Sequence, residues 1–442
     1  MTVVEQVRAA GVVGAGGAGF PTHVKLNGQA EYVIANGAEC EPLLRVDQLL
    51  MQREARRVVR GLELAMEATG APNGVIATKA HYEEAVRALR QAIAGHAGIR
   101  LHLMDSYYPS GDEKSIIFEV TGRVVPSGRL PLDVGCVVSN VGTLANIAWA
   151  AEGVPVVDKD VTVGGAVPRP VTVRMPVGTA FDEVIALSGF QGSAGDYALI
   201  VGGPCMGRLE TDWNSPVTKT TGGLLLLPKT HPLIARRMQS PERLLRLARA
   251  VCCQCSQCTQ MCPRNALGLH VQPHKAMRAI TTGNGALLGG PGAVLACSSC
   301  GVCTNYACDM GLSPSTVMTM LKEQMGKAGI RPVPEKEIVP DPFAALKRIP
   351  VKRLIARMGL SEYDTPAPFM DARYRPARVR LPLRQHVGAP GVPVVKPGDR
   401  VRRGDVIAEI PEKSLGARLH ASIDGTVTAV GAEIEITGGE SA

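Results

Sequence analysis

The sequence predicts a multidomain protein of mixed α/β and α+β class, and three observations predict it. Strand-like and helix-like apolar periods alternate through residues 1–150. Segments rich in β-formers, broken by Gly and Pro turns, fill residues 151–235 and 381–442. Between them, two tight cysteine runs sit among amphipathic helical stretches. A chain of 442 residues is long enough for several domains.

Taken in order, residues 1–150 hold the strand-like runs EYVIANG, NGVIATK and VGCVVSNVG, each ending in turn signals. Between them, QLLMQREARRVVRGLELAMEATG and EEAVRALRQAIAG carry apolar residues at helical spacing. This alternation predicts a Rossmann-like α/β domain on a parallel sheet. In residues 151–235 two hairpin strands, the short helix FDEVIALSGF and the strand YALIVGG suggest a small α+β domain of β-grasp type. Residues 240–330 read as helical around the cysteines: PERLLRLARAV leads in, and SPSTVMTMLKEQMG follows with a Ser cap. Residues 331–380, rich in Pro and Arg, read as an extended connector. Residues 381–442 form a compact β module, in which VVKPGDRVRRGDVIAEI and LHASIDGTVTAVG are the paired turns of a barrel-sandwich, as in biotinyl and lipoyl carriers. Such carriers need a lysine in the hairpin. Here the turn is Ile423-Asp424-Gly425, so a structural role is expected.

Composition removes several function classes. No run approaches the roughly 18 apolar residues of a membrane span, and the start, MTVVEQVRAAGVVGAGG, has no basic leader segment. The expectation is a cytoplasmic protein in a reducing compartment with no transmembrane segment. Net charge is +8, densest between Lys347 and Arg380, where Lys352, Arg353, Arg357, Arg373, Arg375 and Arg378 fall. With aromatics at 4%, the stacking platforms of a nucleic-acid binder are missing, and no nucleic-acid partner is expected. A solvated linker or a docking face for an acidic partner is the reading of that stretch.

Eight of the twelve cysteines carry the strongest signal. Cys252, Cys255, Cys258 and Cys262, followed by Pro263, make C-x2-C-x2-C-x3-C-P, the bacterial ferredoxin spacing. Cys297, Cys300, Cys303 and Cys308 make a second run, with four residues before the last cysteine and Asp309 in place of the proline. Three cysteines two residues apart can wrap one face of a cubane, and the fourth ligand comes from elsewhere. In two-cluster ferredoxins it comes from the other run. The expected pairing is therefore crossed: Cys252, Cys255 and Cys258 with Cys308, and Cys297, Cys300 and Cys303 with Cys262. Structural zinc is the competing reading, but it needs only four ligands in two pairs. Cys253, Cys40, Cys136 and Cys205 are read as spectators or buried apolar residues. His270 and His274, separated by Pro273, are read as ordinary residues, the proline breaking any helix there.

Near the start lies G14-A-G-G-A-G-F-P-T-H-V-K25. It contains G-x-G-x-x-G, but Phe20-Pro21-Thr22 follows where a Rossmann fingerprint opens a helix. Gly14, Gly16, Gly17 and Gly19 would let backbone N–H groups approach an anion or a flat ring, and Lys25 would supply charge for a phosphate. A plain glycine turn is the alternative. Three further segments favour a ligand site: N36-G-A-E-C-E-P42 with Asn36, Glu39 and Glu41; Y107-Y-P-S-G-D-E-K114 with Tyr108, Gly111 and Glu113; and V138-S-N-V-G-T143 with Asn140 and Thr143. Such carboxylates and amides suit ribityl and ribose hydroxyls and a flavin edge.

GAGGAGFPTHVK, ANGAECEPLLRVDQ, YPSGDEKSIIFEVTGRVVPSGRLPLDVG and VSNVGTLANIA resemble the FMN- and NADH-binding flavoprotein subunit of respiratory complex I. They are more similar still to the RnfC electron-transport subunits and to the PduS cobalamin reductases. In RnfC proteins the barrel-sandwich precedes the flavin domain. Here it lies at the C-terminal end, an order similar to PduS. The resemblance implies FMN on Gly14, Gly16, Gly17, Gly19 and Lys25, with Asn36 and Asn140 on its ribityl chain or ring. It implies a flavin and nicotinamide pocket lined by Glu39, Glu41, Tyr108 and Glu113. Asp112 departs from complex I, where the matching segment is Gly-Glu-Glu. The implied function is an NADH-dependent cobalamin reductase with FMN and two [4Fe-4S] clusters. It would make cob(I)alamin for a cobalamin adenosyltransferase, alongside the shell proteins of a bacterial microcompartment. The sequence carries no D-x-H-x-x-G corrinoid loop, so the acceptor rests on the resemblance. The rivals are an RnfC-type subunit passing electrons between NADH and a ferredoxin-type or membrane partner, a ligand-binding module with structural clusters, and a reductase of another acceptor such as a selenoprotein or quinone.

Overall fold

The computed structural model describes residues 1–335, 337–372 and 374–438, so Arg373 and the end of the C-terminal module lie outside the described residues. The chain is a mixed α/β assembly of several sheets. The first sheet is four-stranded and wholly parallel, in the order Ile99–Met104, Asn73–Lys79, Tyr32–Gly37, Cys136–Asn140. Its central strands are buried on both faces, as parallel strands between helices must be. Tyr32–Gly37 has one neighbour from later in the chain on each side, which opens a crevice beyond the strand ends. Asn36 and Asn140 stand opposite each other in register at that crevice.

The expected single helix over residues 48–70 is two. Val46–Arg53 ends at Glu54, and Ala55–Thr69 begins after it. Glu54 leaves helical geometry because its carboxylate is taken by Arg174 at 2.7 Å, on a strand of the next sheet. The second helix packs against Val141–Ala151 so closely that a Cβ on Gly61 would lie 1.8 Å from the Leu144 carbonyl oxygen.

The second sheet is six-stranded, in the order Phe369–Met370, Val171–Pro176, Asp158–Gly165, Gly223–Pro228, Tyr197–Val201, Arg208–Glu210. Its edge strand, Phe369–Met370, comes from the stretch expected to be a connector. That expectation needs correcting further. Ile349–Pro350 pairs antiparallel with Tyr107–Tyr108. The helix Val351–Arg357 buries Leu354 and Ile355 in a core shared with Tyr108, Cys205 and Cys300. Arg378–Pro382 already belongs to the C-terminal module, pairing with Glu433–Thr437. Some basic residues of this stretch pair within the chain, Arg348 on Glu119, Lys347 on Asp341, Arg357 on Asp309 and Arg380 on Glu433, whereas Lys352, Arg353 and Arg375 are exposed.

The cysteine region is helical, with Pro241–Val251, Pro273–Thr282 and Pro314–Lys327 packed around Leu269, Val271, Met277, Val294 and Val317. Pro273 opens its helix at the first position instead of breaking one, because that position needs no N–H partner. The C-terminal module is a four-stranded and a three-stranded antiparallel sheet closed on Val379, Leu381, Ile407, Leu419, Ile434 and Ile436. Among the described residues, no helix is long and apolar enough to cross a membrane.

Substituting Gly61 with Ala should lower stability. Intrinsic helix propensity favours Ala by about 1 kcal/mol, but the new methyl would meet backbone, and overpacking of this kind costs about 1–3 kcal/mol or more. A net loss is expected, read as a lower melting transition. A variant as stable as the parent would show that the two helices can move apart freely.

Candidate functional site

The glycine loop is closed at its base by a bridge between Val13 and Pro21, with Gly14 N–H donating to Phe20 O at 2.9 Å and Gly19 N–H to Gly14 O at 3.2 Å. Its flank is fixed at Ala15. The Ala15 N–H donates to Thr143 Oγ1 at 2.9 Å, and the buried Lys159 Nζ donates to Ala15 O at 2.7 Å. The apex is open: Gly16, Gly17 and Ala18 are exposed, and nothing lies within 4 Å of a Cβ built on Gly17. Gly17 and Gly19 hold φ of 106° and 65°, which side chains disfavour. A Cβ on Gly16 would press on Asn140 at 3.2 Å. A solvent-facing loop with nothing larger than Ala at its apex, at the ends of parallel strands, fits a flat ring or a phosphate.

Around it, the expected site residues separate into two groups. Asn140 caps the helix Val141–Ala151 through Gly142 N–H, while its Nδ2 donates to Asp47 Oδ2 at 2.7 Å. Asn36 Nδ2 donates to Gly111 O at 2.9 Å, joining two of the expected segments. Lys25 Nζ lies 2.9 Å from Glu113 Oε1 and donates to Val138 O at 2.6 Å, so its charge is shared with a carboxylate. Asn36 with Gly111, Lys25 with Glu113, Asn140 with Asp47 and Thr143 with Ala15 are thus four separate hydrogen-bonded contacts around the crevice.

Glu39, Glu41 and Tyr108 are committed to the scaffold. The Glu39 carboxylate accepts from Asp47 N–H at 2.9 Å and Gln48 N–H at 3.0 Å, at the start of Val46–Arg53. Glu41 accepts from Cys205 N–H at 2.9 Å. Buried Tyr108 places its hydroxyl 3.0 Å from Glu41 Oε1 and 2.7 Å from the Cys300 carbonyl oxygen. Burial raises the Glu41 carboxyl, against the lowering pull of the Cys205 N–H and the Tyr108 hydroxyl. A Cβ on Gly203 would fall 2.0 Å from Glu41 Oε2, so only glycine leaves room for that carboxylate. Asp112, the departure from the complex I pattern, caps Glu113–Thr121 through Ser115 N–H and pairs with Arg264 at 2.6 Å, two residues past Cys262. Tyr108 and Asp112 therefore tie the glycine-loop domain to both cysteine runs.

The two runs share a backbone device. In the first, Gln254 and Ser256 take φ of 57° and 63°; in the second, Ser299 and Gly301 take 59° and 76°. These are the same positions relative to Cys252 and Cys297, and left-handed residues there curl each loop inward. A cavity is lined by Cys252, Cys255, Cys258 and Cys308, with His274, Met277 and exposed Cys253 on its wall. His274 Nδ1 is held by Thr259 Oγ1 at 2.7 Å. Burial pushes the Cys258 thiol up to about 12, and Cys308, Cys255 and Cys252 add to it. Burial also raises Cys262 to about 12, with Cys297 adding to it. Cys300 is raised by burial, then by Cys262 and Cys297. The sulfurs crowd in the crossed grouping. Among the described residues no three Cys, His, Asp or Glu are gathered to hold a single metal ion. The donor chemistry is that of iron–sulfur ligation, in which the metal's charge lets crowded thiols ionise. The two groups differ in exposure: Cys255 is exposed, whereas Cys262, Cys300 and Cys303 are buried.

Sequence reasoning missed half-buried Asp47 and the buried Lys79, Lys159 and Lys219. Lys79 Nζ donates to Glu39 O at 3.2 Å. Burial, then the Glu39 carboxylate, push Asp47 up to about 7, against Lys159 and Asn140. The signal for Asp47 was its place in ANGAECEPLLRVDQ. The lysines sit in segments, NGVIATK, VVDKDVTVGG and SPVTKTTGG, that read as plain strand and turn.

Family models match three segments: the Nuo51 FMN-binding domain over residues 7–149, a 4Fe-4S dicluster domain over 251–313, and the RnfC barrel sandwich hybrid domain over 366–441. The chain is 49% identical over 428 residues to cobalamin reductase PduS of Salmonella typhimurium, covering 96% of this chain and 94% of that protein. It is 47% identical over 431 residues to cobalamin reductase PduS of Citrobacter freundii, covering 97% and 94%. To one component of the Na(+)-translocating ferredoxin:NAD(+) oxidoreductase complex of Acetobacterium woodii it is 39% identical over 278 residues, covering 61% and 58%.

Asp47 gives the site a pH signature. Its proton affinity is higher folded than unfolded, so its contribution to stability is full below about pH 4 and is lost as pH rises to about 7. Asp47→Asn lacks this loss. The stability of D47N relative to the parent should rise between about pH 4 and 7, then level off. Denaturant unfolding across that range checks it, and a pH-independent difference would place the Asp47 pKa elsewhere.

Proposed function

Since the chain belongs to the PduS cobalamin reductase family, with RnfC-like features, we propose that it is an NADH-dependent oxidoreductase that reduces a corrinoid toward cob(I)alamin. The observation that carries this reading is the direct junction between the glycine-loop domain and the cysteine loops. One buried hydroxyl, that of Tyr108, lies within hydrogen-bond distance of both the Glu41 carboxylate and the Cys300 carbonyl.

Domain roles follow as proposals. Residues 1–150 form the Rossmann-like FMN- and NADH-binding domain, 151–235 the β-grasp domain, 240–330 the two-cluster domain, and the end of the chain the barrel-sandwich. When bound, FMN takes the electron pair of NADH together and the two [4Fe-4S] clusters take electrons singly. The chain's own residues position and enclose. Gly14, Gly16, Gly17 and Gly19 shape the cradle: the N–H groups of Gly14 and Gly19 close the loop on itself, and those of exposed Gly16 and Gly17 face the ligand without side chains in the way. Lys25 is the cation for a phosphate and exchanges its Glu113 contact for it. Asn36, Asn140 and Thr143 set the loop against the strand ends, and Gly111 and Glu113 face the nicotinamide side. Glu39, Glu41 and Tyr108 act as positioning residues through their scaffold contacts. Asp47, hydrogen-bonded to Asn140, can hold a proton beside the loop near neutral pH. Cys252, Cys255, Cys258 and Cys308 hold one cluster, and Cys262, Cys297, Cys300 and Cys303 the other. The reduced corrinoid is passed to a cobalamin adenosyltransferase, within a microcompartment shell.

The decisive measurement is anaerobic NADH oxidation by the FMN- and iron–sulfur-loaded protein, with cobalamin as sole acceptor. Flavin and cluster bands should bleach and reduced corrinoid should appear. Bleaching with cobalamin left oxidised would mean another acceptor. Bleaching by dithionite but not by NADH would remove the nucleotide from the reading.

Pairing is tested separately. Cys255→Ala and Cys308→Ala should each lose about half the iron and sulfide, and the double variant should lose no more. Loss of both clusters in that double variant would mean each run closes on itself.

A further inference from the structure

We propose that the C-terminal β module is a working part of the flavin site, clamping both stems of the glycine loop, with Lys219 and Val387 as positioning residues for FMN. The inference rests on the reading of that loop as the FMN cradle and adds to it a second domain.

The contacts fall on the two ends of the loop and leave its apex free. At the far end, Val387 N–H donates to Gly19 O at 3.0 Å. A Cβ on Gly19 would lie 3.0 Å from Thr220 Cγ2 and 3.2 Å from His386 Cα, so module, central sheet and loop meet there without spare room. At the near end, Lys219 Nζ donates to Gly11 O at 2.8 Å and to Arg418 O at 2.7 Å, bridging the segment before the loop to the module. The Lys219 N–H donates to Gln385 Oε1 at 3.0 Å, closing the circuit. A Cβ on Gly11 would fall 2.4 Å from Arg418 O. Lys219 is 3% exposed and both acceptors of its ammonium are backbone carbonyls. Burial lowers its pKa to about 7.

Packing of the module does not need these contacts. It is already fastened to the second sheet by Arg403 on Asp158, by Ser422 on Val177 O, and by Arg380 N–H on Gly178 O. What the Lys219 and Val387 contacts add is a fixed separation of the loop's stems. A loop held in its binding geometry before the ligand arrives loses less freedom on binding. The module, which lacks a carrier lysine, thereby acquires a role in the reaction.

The test uses the full-length protein with Lys219→Met, Val387→Pro and the control Val387→Ala, which keeps the N–H. Cluster absorbance and circular dichroism report folding. FMN is titrated into flavin-stripped protein by fluorescence, and hydrogen exchange is followed across residues 12–20 in the flavin-free state. V387A should match the parent. K219M and V387P should bind FMN roughly tenfold more weakly, about 1.4 kcal/mol, and exchange faster across the loop, with clusters retained. Gln385→Leu removes only the acceptor of the Lys219 N–H and decides the matter should either of the other two not fold. Parent-like FMN affinity and loop exchange in the folded variants would overturn the proposal. A parent protein that takes up no FMN would overturn the flavin reading instead, and the exchange data would still decide whether the clamp exists.

Discussion

Everything in this molecule depends on a few buried polar contacts that hold a nucleotide-type α/β domain against a pair of cysteine loops. A redox chain works only when its centres are close and dry. Apolar packing alone brings surfaces together without fixing their register. Here register comes from groups that are costly to bury unpaired. Tyr108 is pinned between Glu41 and the Cys300 carbonyl, and Asp112 meets Arg264 with side chains only 8% and 11% exposed. The Tyr108 contact with Cys300 and the Asp112 contact with Arg264 cross from one domain to the other, so sliding either domain would strand a buried polar group.

The same logic explains why the stretch after the cysteine helices is not a linker. Ile349–Pro350 adds a strand to Tyr107–Tyr108, Leu354 enters the core around Tyr108, and Phe369–Met370 extends the six-stranded sheet. The segment passes over the junction and covers it. Its apolar residues and strand pairings make it a strap, while Arg348 neutralises Glu119 beneath it and Lys352, Arg353 and Arg375 keep an exposed basic face.

How much of this the sequence revealed follows from the range of the interactions. Cysteine spacing is local, so both runs could be read from a few residues. Three of the four parallel strands and the glycine loop were legible for the same reason, while the edge strand Ile99–Met104, with its alternating Arg100 and His102, was not. What escaped was set by contacts between distant residues. Glu54 splits a helix because Arg174 waits on another sheet. Lys159 stands between Asp158 and Asp160 in what looks like a charged strand end, yet its amine is buried and reaches Ala15 O. Glu41 and Tyr108 were recognised as important, but their direction, into the scaffold and toward Cys300, depends on Gly203 and Cys205 more than 90 residues away. Asp112 looked like a departure from pattern until Arg264 supplied its reason.

The grouping of the cysteines also bears on how the protein is made. The cavity opened by Cys252, Cys255 and Cys258 is closed by Cys308, more than 40 residues later in the chain. A ribosome therefore delivers the first three thiols well before the fourth. During that interval the early loop has no complete ligand set, and at synthesis rates of about 5–20 residues per second the gap lasts seconds. On the proposed crossed ligation, cluster insertion waits until both loops have left the ribosome and folded against each other, so an incomplete chain does not consume a cluster.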